Sequence, residues 1–558
     1  MSSETENKQT KGMTRRDFMK GSAVAAVGLA AGGILVGCSS DEEKVKDTAK
    51  ESADAATGKR WSWETAPKAI KDSEIKETIE ADIVFVGGGI AACMGALRAS
   101  EQGAKVVVVE KNNMPSGRGG GWAAYTSKAL QAAGIQPADK HEMHREWLKR
   151  TGNRANEKIV WKYLDRSEEV FNWFIDKSEG VLQFLPYLPR YVGPYYSEYT
   201  GCHFIMGDTG EYKNMEITAP VYFMWKKSEE QGVKFYFKHT AEQLVKDGDK
   251  ITGVIVKTDK GYKKFVGKKG VVLATGDIGG DKEMIEAYGD DIAKYEQLKS
   301  VYTPAGMNTG DGHKMGMWAG GHVEKLPIPT ALHLTKYAWY CFGFLHVNVE
   351  GNRFMNEDTW VQPKSINILE QPGSVDYAWS IFDSKYPQEL EKQIPIAGGQ
   401  FWDDMVRFGP WTPETVTKSI EDYVKSGLCF KANTLEELAD QIGVDKTNFI
   451  NTVNNYNKMV KAGEDTEFFK RKEILTTIEQ GPFYGLKFGP ALLILPGGLE
   501  INENFEVLND DKHPIEGLYA IGNCSGGRYG VDYPLVINGN SHGSAMTEGY
   551  LVVESILG

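Results

Sequence analysis

Cysteine is scarce in this chain, which has six cysteines among 558 residues. They are scattered as Cys38, Cys93, Cys202, Cys341, Cys429 and Cys524, and no two of them form a C-x-x-C pair. A C-x-x-C-H sequence is also missing, so the chain has no haem-attachment motif and no evident ligand set for zinc or an iron–sulfur cluster. We therefore expect no metal site, and the spacing does not resemble a disulfide framework.

The chain also lacks an excess of positive charge and, after residue 38, any long apolar run. Its formal net charge is −12, and its 64 basic and 76 acidic residues are mixed along the sequence. A nucleic-acid partner is not expected for such a surface. No stretch beyond residue 38 is apolar over the roughly 20 residues that a membrane helix needs. The length is sufficient for two large domains.

The first 38 residues have the composition of an export signal. Thr14-Arg-Arg-Asp-Phe-Met-Lys20 has the form of a twin-arginine motif, and an apolar region rich in Ala and Gly follows it. That region ends in Leu35-Val-Gly-Cys38, which has the form of a lipobox. We therefore predict a signal peptide at 1–38 and a lipid anchor at Cys38, on the outer face of the bacterial cytoplasmic membrane. Residues 39–75 are predicted to be a flexible tether.

The clearest functional signal is a glycine-rich turn between a strand and a helix. The apolar run 83–86 predicts a buried parallel strand, Gly87-Gly-Gly89 follows it, and Ile90-Ala-Ala92 opens a helical pattern. The first glycine permits a tight turn, the second lets the backbone approach a pyrophosphate, and the small Ala92 lets the helix pack closely. A second strand ends in Glu110, which can accept hydrogen bonds from an adenosine ribose. This order of elements predicts a dinucleotide-binding fold.

Further glycine-rich motifs follow along the chain. Ser116-Gly-Arg-Gly-Gly-Gly121 suits a loop lying along a pyrophosphate or a flavin ring, although a flexible structural turn has the same composition. Three other motifs are also glycine-rich: Ala274-Thr-Gly276, Thr309-Gly-Asp-Gly312 and Gly517-Leu-Tyr-Ala-Ile-Gly-Asn523. A further motif, Gly351-Asn-Arg-Phe-Met-Asn-Glu357, lies between the second and the third. With these motifs, residues 76–558 resemble the fumarate reductase and succinate dehydrogenase flavoprotein family, in its soluble single-flavoprotein branch.

The resemblance implies an α/β fold with a doubly wound FAD-binding domain and an inserted α+β capping domain. The glycine-rich motifs give way to aromatic strand-like runs and helical segments at about residue 323 and then return. This change in pattern places the FAD-binding domain at 76–322 and 495–558 and the capping, or substrate, domain at 323–494. Members of the family are oxidoreductases that add or remove hydrogen across a C–C bond. The region between Asn112 and Asp139 lacks the histidine to which some members attach the flavin, so non-covalent FAD is expected.

The resemblance also assigns the residues that contact FAD. These are Gly87, Gly89, Ile90, Ala91, Ala92, Glu110, Lys111, Ser116, Gly117, Gly121, Ala274, Thr275, Gly276, Asp311, Gly522, Asn523, Ser544 and Ala545. Ser544 and Ala545 lie at the start of the last predicted helix, whose positive dipole end would stabilise a reduced flavin anion. His542, beside that helix start, is interpreted as structural rather than catalytic.

Four positions that hold a dicarboxylate in fumarate reductases are not cationic in this chain. The two histidines of the family correspond to Ile328 and Ile494, and the proton-donating arginine corresponds to Val361. The last arginine has Asn540 as its nearest counterpart. A carboxylate buried without charged or hydrogen-bonding partners would cost several kcal/mol. We therefore expect a pocket for an apolar, largely uncharged molecule.

The loop before the last helix offers a different substrate contact. Tyr533 and Gly539, in Tyr533-Pro-Leu-Val-Ile-Asn-Gly539, resemble the tyrosine and glycine that hold the ketone in 3-ketosteroid dehydrogenases of the same family. The alternative for Tyr533 is a turn residue that packs on the cap. Tyr125, Tyr529 or a water could supply the proton. Trp360 and Val361 stand where the steroid enzymes carry another tyrosine, which leaves the steroid assignment open.

The sequence thus predicts an exported FAD-dependent reductase of a C=C bond conjugated to a carbonyl, with a 3-ketosteroid or similar enone as substrate. Electrons would come from a membrane-linked donor such as a quinol-linked cytochrome, because no NADH pool exists outside the membrane. One alternative is a dehydrogenase, or a reductase of an acrylate-type acid, with the same fold. Another is a lipid-anchored flavin electron carrier without chemistry of its own.

Overall fold

A computed structural model describes residues 60–117, 119–187, 198–300, 303–324, 327–338, 343–397 and 412–558. The predicted signal peptide, Cys38 and residues 39–59 of the predicted tether lie outside the described residues. From Arg60 onward the chain packs on the protein: the Trp63 ring lies 5.5 Å from that of Tyr288, and Trp318 Nε1 donates to the Trp63 carbonyl. Within the described ranges, no helix is both long and apolar enough to cross a bilayer.

The centre of the fold is an eight-stranded sheet that is mostly parallel. Its middle strands pair in parallel, with Ile83 opposite Val106 and Gly270. The apolar runs predicted at 83–86 and 106–109 are buried, as expected for strands covered on both faces. Six strands lie side by side in the order Glu506–Leu508, Pro514–Ala520, Gly261–Leu273, Ile75–Val86, Val106–Glu110, Lys234–Phe237. The strands Lys250–Thr258 and Thr240–Asp247 extend from Gly261–Leu273.

Two helices cross closely against one face of this sheet. A Cβ on Gly95, in the helix Ile90–Glu101, would lie 2.6 Å from the Phe85 ring and 2.9 Å from the Gly549 carbonyl. A Cβ on Gly549, in the helix Asn540–Leu557, would lie 2.2 Å from the Ala91 carbonyl. Glycine at both positions lets the first and last helices of the FAD-binding portion approach. The predicted α/β fold class is confirmed.

The segment predicted as a cap, 323–494, has a sheet of its own. Four antiparallel strands lie in the order Leu345–Val347, Ala378–Asp383, Phe483–Phe488, Cys429–Ala432. A separate two-stranded ladder pairs Ala331–His333 with Ala491–Ile494, near the points where the chain enters and leaves the cap. Because this ladder joins residues about 160 positions apart, it brings the two ends of the segment together.

The remaining strands form a three-stranded sheet of Gly121–Ala123, Cys202–Gly207 and Leu182–Tyr187. The other described α-helices are Lys128–Ala132, Lys140–Arg150, Glu157–Lys177, Ala219–Glu230, Lys282–Tyr288, Asp290–Ala293, Asp311–Trp318, Val361–Leu369, Tyr386–Ala397, Pro413–Ser426, Leu435–Ile442 and Lys446–Ala462. Short 3-10 turns lie at Ser62–Glu64, Asp72–Glu74, Gly210–Asn214, Glu216–Thr218, Lys472–Ile474 and Gly522–Cys524.

Arg353, from the Arg-Phe-Met-Asn-Glu motif, is the centre of a buried charge network in the cap. Its guanidinium donates to both oxygens of Glu357, at 2.8 Å each, and to both oxygens of Asp465, at 2.9 and 2.7 Å. All three side chains are at most 1% exposed. These contacts hold the pKa of Asp465 well below its usual range, despite its burial. The network ties the motif to the segment after the helix Lys446–Ala462.

Replacement of Arg353 by Met is expected to destabilise the cap strongly. Two buried carboxylates would lose their shared cation, which costs about 3–5 kcal/mol for a buried pair. Thermal unfolding followed by circular dichroism measures the loss. The matched control is Lys250→Met, which removes a largely exposed pair with Glu516 and is expected to cost less than about 1 kcal/mol. Equal losses in the two variants would contradict the role given to Arg353.

Candidate active site

The glycine-rich turn has the close contacts that a dinucleotide site requires. Gly87 has a φ of +105°, and a Cβ there would lie 2.4 Å from the Ala274 carbonyl. Glycine is therefore the residue that this turn accepts. Gly89 faces open space that a ligand could occupy, because a Cβ on this residue would meet only the Ser116 carbonyl, at 3.8 Å. The helix that follows Gly89 begins without a side-chain cap, so its first N–H groups and positive dipole end can face an anion.

Glu110 lies at the end of the second parallel strand, next to this turn. Its Oε2 accepts from the Gly88 N–H at 2.6 Å, and its Oε1 accepts from the Asn112 N–H at 2.7 Å. Burial raises the pKa of this carboxyl. Each oxygen keeps a second lone pair, so the geometry remains compatible with the predicted contact to a ribose hydroxyl.

The other predicted cofactor residues of the first half lie at the same edge of the sheet. Lys111 Nζ donates to Asp311 Oδ2 and to Thr309 Oγ1, both at 2.8 Å. The Ala274 N–H donates to the Val86 carbonyl, which places Ala274-Thr-Gly276 beside the glycine-rich turn. Thr275 Oγ1 then accepts from the Gly312 N–H at 3.1 Å. The carboxyl ends of parallel strands are where open α/β sheets bind ligands.

The second glycine-rich loop also reaches this edge. The Ser116 N–H donates to the Gly88 carbonyl at 3.1 Å. A Cβ on Gly117 would lie 2.3 Å from Val221 Cγ2, so glycine is needed there for packing. Gly121 begins the strand Gly121–Ala123 and lies against Gly539, where an added Cβ would lie 2.4 Å from the Gly121 carbonyl carbon. The loop therefore joins the dinucleotide turn to the start of the last helix.

The predicted contacts of the second half converge on the same place. A Cβ on Gly522 would lie 3.4 Å from that of Ala91 and 3.8 Å from that of Ala545. Asn523 Oδ1 accepts from Ser541 Oγ at 3.1 Å. Ser544 is buried in the second turn of the last helix, whose N-cap residue Gly539 has no side chain to cap it. Two helix starts and three glycine-rich loops thus meet, and the positive dipole ends of the two helices fit the pyrophosphate and the electron-accepting ring of FAD.

A strand, a glycine turn and an uncapped helix at the carboxyl edge of a parallel sheet define a dinucleotide-binding flavoprotein. Residues 82–539 match the family model described as an FAD binding domain, and the chain belongs to this family. The chain is thus an FAD-dependent oxidoreductase of a family that acts on C=C bonds, as predicted.

The relatives are similar over most of the chain. A probable fumarate reductase of Shewanella frigidimarina is 28% identical over 486 residues, which cover 85% of this chain and 74% of that protein. A vinyl phenol reductase of Lactiplantibacillus plantarum is 27% identical, covering 84% of this chain and 94% of that protein. The open conformation of a flavocytochrome c3 fumarate reductase shares the fold, with a TM-score of 0.64, 24% identity and coverage of 89% of this chain and 82% of that chain.

Tyr533 is held in place by the start of the last helix. Its hydroxyl accepts from the Ser541 N–H at 3.2 Å, which leaves the hydroxyl hydrogen available for donation. The side chain is 7% exposed, and burial raises its pKa well above the usual range, so the hydroxyl stays protonated at neutral pH. Gly539, with a φ of +74°, directly precedes the helix. The two predicted ketone contacts therefore lie beside the same helix start.

The loop that carries Tyr533 is anchored from several sides. Asn540 Nδ2 donates to the Pro534 carbonyl at 2.7 Å, Arg150 Nη1 to the Leu535 carbonyl at 3.1 Å, and the Tyr199 N–H to the Val536 carbonyl at 2.8 Å. Gln362 adds a link to the cap, since its Oε1 accepts from the Leu332 N–H and its Nε2 donates to Asp532. Such bracing keeps a donor in place for a charge that develops during reaction.

The two tyrosines considered as proton donors differ in their surroundings. The Tyr125 hydroxyl donates to the Ala138 carbonyl at 2.9 Å, so its hydrogen is already engaged by the backbone. Tyr529 is 1% exposed, and its ring lies 5.2 Å from that of Tyr533. Burial raises the pKa of Tyr529, which keeps it protonated. Of the two, Tyr529 is the one that lies against the predicted ketone contact.

The four positions compared with the dicarboxylate clamp do not all line one pocket. Ile328 is fully buried in the core of the FAD-binding portion, and Val361 is buried among apolar residues of the cap. Ile494 is half-buried beside the cluster that contains Tyr533. Asn540 is fully buried and braces the Pro534 carbonyl. None of the four supplies a cation, and Ile494 is the one of the four that lies beside the cluster of Tyr533 and keeps some exposure.

No sequence pattern pointed to His333, which lies two residues after Ala331, a member of the Tyr533 cluster. His333 ends the short strand Ala331–His333, and burial together with the charge of His542 lowers its pKa to about 4. His542 is half-buried, and its Nδ1 lies 2.9 Å from the Gly121 carbonyl. Because a carbonyl only accepts, that nitrogen carries the proton. His333 lies five residues beyond Ile328, and only its place in a strand ladder would have drawn attention to it.

Proposed function

We propose that this chain is an exported FAD-dependent reductase of a C=C bond conjugated to a ketone, acting on an apolar substrate. The observation that carries the proposal is the Tyr533 hydroxyl, which accepts the Ser541 N–H and keeps its own hydrogen for a substrate oxygen. It lies in an apolar cluster with Val536, Ile537 and Ala331, next to the helix start that would meet the flavin.

These residues suit the charge that develops during reduction of an enone. Bound FAD, once reduced by its electron donor, would supply a hydride to the β-carbon. The ketone oxygen then gains negative charge, and Tyr533 O–H together with the Gly539 N–H would hold it. A preorganised donor at such an oxygen is worth about 3–4 kcal/mol. A proton must also reach the α-carbon, for which Tyr529 or a water is available.

The surroundings favour a ketone over a carboxylate. Ile494 and Leu493 lie beside the cluster of Tyr533. Arg528, which lies over the Tyr529 ring, is already paired with the buried Glu548. A carboxylate in such a place would lack the charge-assisted donors that it needs. The name of the similar vinyl phenol reductase also points to a substrate without a carboxylate.

We further propose that the enzyme works outside the cytoplasmic membrane and receives electrons from a membrane-linked carrier. The support comes from the sequence alone: the twin-arginine motif, the lipobox at Cys38 and the missing haem-attachment motif. A carrier such as a quinol-linked cytochrome would reduce the flavin. Detection of lipid-modified Cys38 by mass spectrometry would support the anchor, and an unmodified mature N-terminus would contradict it.

The substrate class is tested by reoxidation of the reduced holoenzyme under nitrogen. Benzalacetone and cinnamate are a matched pair of acceptors, because they share a skeleton and differ in carrying a methyl ketone or a carboxylate. We expect rapid flavin reoxidation by benzalacetone and by a steroid enone, and none by cinnamate or fumarate. Reoxidation by the acids alone would favour the acrylate alternative. No reoxidation by any organic acceptor would favour an electron carrier.

A further inference from the structure

One side chain of the loop before the last helix is buried without hydrogen-bond partners. Asn538 is 1% exposed, and neither its Oδ1 nor its Nδ2 has a hydrogen-bond partner among the described residues. Native proteins pair the large majority of their buried polar atoms. An unpaired polar group of this kind costs about 1–3 kcal/mol of desolvation, and here both ends of one amide are unpaired. The Asn538 amide therefore destabilises the loop unless a bound molecule supplies its partners.

Asn538 lies on the substrate side of the start of the last helix. The preceding residue, Ile537, packs in the cluster of Tyr533, whereas Ala545, further along the helix, packs in the core of the FAD-binding portion. The following residue, Gly539, carries the N–H that the proposed function assigns to the ketone oxygen. Since consecutive Cα atoms are about 3.8 Å apart, the Asn538 amide can reach a group next to that ketone.

A second amide oxygen follows Gly539 in the chain. Asn540 is fully buried, and its Nδ2 donates to the Pro534 carbonyl at 2.7 Å. Because a carbonyl only accepts, this contact identifies the amide nitrogen. The other end of the amide, Oδ1, has no partner among the described residues. The residues on both sides of Gly539 thus carry a buried acceptor, and each acceptor requires a donor.

A simple ketone cannot pair with these two oxygens. The Tyr533 O–H and the Gly539 N–H are donors, which suits a ketone oxygen because that oxygen only accepts. A substrate with no other polar group would leave the amide oxygens unpaired. A hydroxyl group can donate to an amide oxygen and accept from an amide nitrogen, so it matches Asn538 in both roles. It is also uncharged, whereas an ammonium group would be costly to bury without a carboxylate partner.

We propose that Asn538 is a substrate-contacting residue that selects, together with the Asn540 oxygen, an enone with a hydroxyl group on the carbon next to its carbonyl. This inference rests on the proposed function for the position of the ketone, and it names a substituent that the proposed function leaves open. A substrate without the hydroxyl is disfavoured because it leaves buried polar atoms unpaired, which is a strong source of selectivity.

Binding of saturated ketones tests the inference without any reduction step. Benzylacetone and its analogue hydroxylated on the methyl carbon differ only in a hydroxyl next to the carbonyl, and neither has a C=C bond to reduce outside the aromatic ring. Titration of the oxidised holoenzyme, followed by the flavin spectrum, gives a Kd for each. We expect the hydroxylated ketone to bind wild type about five- to tenfold more tightly, which corresponds to one or two neutral hydrogen bonds.

The Asn538→Leu variant should abolish this preference and keep its FAD content. Without ketone, it should also unfold at the same temperature as wild type or at a higher one, because removal of a buried amide without partners relieves its desolvation cost. Asn538→Asp, which keeps an acceptor of the same size, should retain a preference of about threefold or more. The matched control is Asn455→Leu, at an exposed asparagine in the helix Lys446–Ala462, which should bind both ketones as wild type does.

The thermal unfolding temperature distinguishes a substrate contact from a structural role. An amide that braces the loop would give an Asn538→Leu variant of lower stability, and an amide that contacts the flavin would give a variant that loses FAD. Either result would overturn the inference. Equal binding of the two ketones by wild type, or a preference that survives in Asn538→Leu, would overturn it as well.

The same titration separates this inference from the proposed function. If wild type prefers the hydroxylated ketone but no enone reoxidises the reduced enzyme, the inference about Asn538 holds and the proposed reaction is wrong. If enones reoxidise the enzyme and the preference is missing, the reverse applies. Tighter binding of hydrocinnamate than of either ketone would contradict both the hydroxyl selection and the apolar ketone site.

Discussion

Replacement of Tyr533 by Phe should lower the rate of flavin reoxidation by an enone roughly tenfold or more, with FAD content unchanged. The hydroxyl accepts the Ser541 N–H and donates to no described acceptor, so its hydrogen is free for the ketone oxygen. Phe keeps the ring, which packs 5.2 Å from that of Tyr529. Stopped-flow absorbance of the reduced variant mixed with benzalacetone measures the rate.

Tyr222→Phe is the matched control for this prediction. Its hydroxyl contacts Glu211 at 3.3 Å near the surface, so its loss should leave the reoxidation rate unchanged. An unaltered rate in Tyr533→Phe would remove this tyrosine from the mechanism. A variant that lost FAD would instead show that the hydroxyl serves the structure of the loop, through Ser541, and not the substrate.

Replacement of Gly89 by Ala should remove most of the FAD and leave the fold intact. Gly89 has a φ of −85°, which alanine adopts readily, and its Cβ would meet only the Ser116 carbonyl at 3.8 Å. The methyl group would instead occupy the space in which the backbone approaches a pyrophosphate. We expect FAD content after gel filtration to fall to about one tenth of wild type or less, with the thermal unfolding temperature of the apoprotein unchanged.

Gly87→Ala provides the contrast two residues earlier. There the Cβ would lie 2.4 Å from the Ala274 carbonyl, in a backbone conformation with a φ of +105°. This substitution should lower the stability of the apoprotein itself, because the clash lies within the protein. A Gly89→Ala protein that retains its full FAD content would show that the pyrophosphate does not lie against this turn. Equal destabilisation of both apoproteins would show that Gly89 serves packing.

The parts of the site that could be predicted from the sequence are those built from contiguous residues. The glycine turn at 87–89 and the acid at 110 need only a strand, a turn and a helix in order, and the structure places Gly88 against Glu110. The parts that were missed or misplaced depend on pairing between distant segments. Ile328 is aligned with a substrate-binding position of the family but is buried in the core, whereas Ala331, three residues later, packs in the cluster of Tyr533.

The reason lies in the ladder between Ala331–His333 and Ala491–Ile494. Which side of a strand faces the substrate is set by its partner strand, and a change of one residue in register exchanges the two faces. The partner of Ala331 is Ile494, far along the chain, and a bulge at Leu493 alters the local register. No pattern within residues 328–333 contains that information.

The sequence by itself determined the cofactor class, because glycines at 87 and 89, small residues at 91 and 92 and an acid at 110 act through local backbone geometry. It also showed that the four positions aligned with the dicarboxylate clamp, Ile328, Val361, Ile494 and Asn540, carry no positive charge. Only the tertiary structure decided which side chains lie beside Tyr533, since that depends on how the cap strand pairs and where the last helix begins. Hydrogen bonds such as those of Tyr533 with Ser541 and His542 with Gly121 exist only once these segments have packed together.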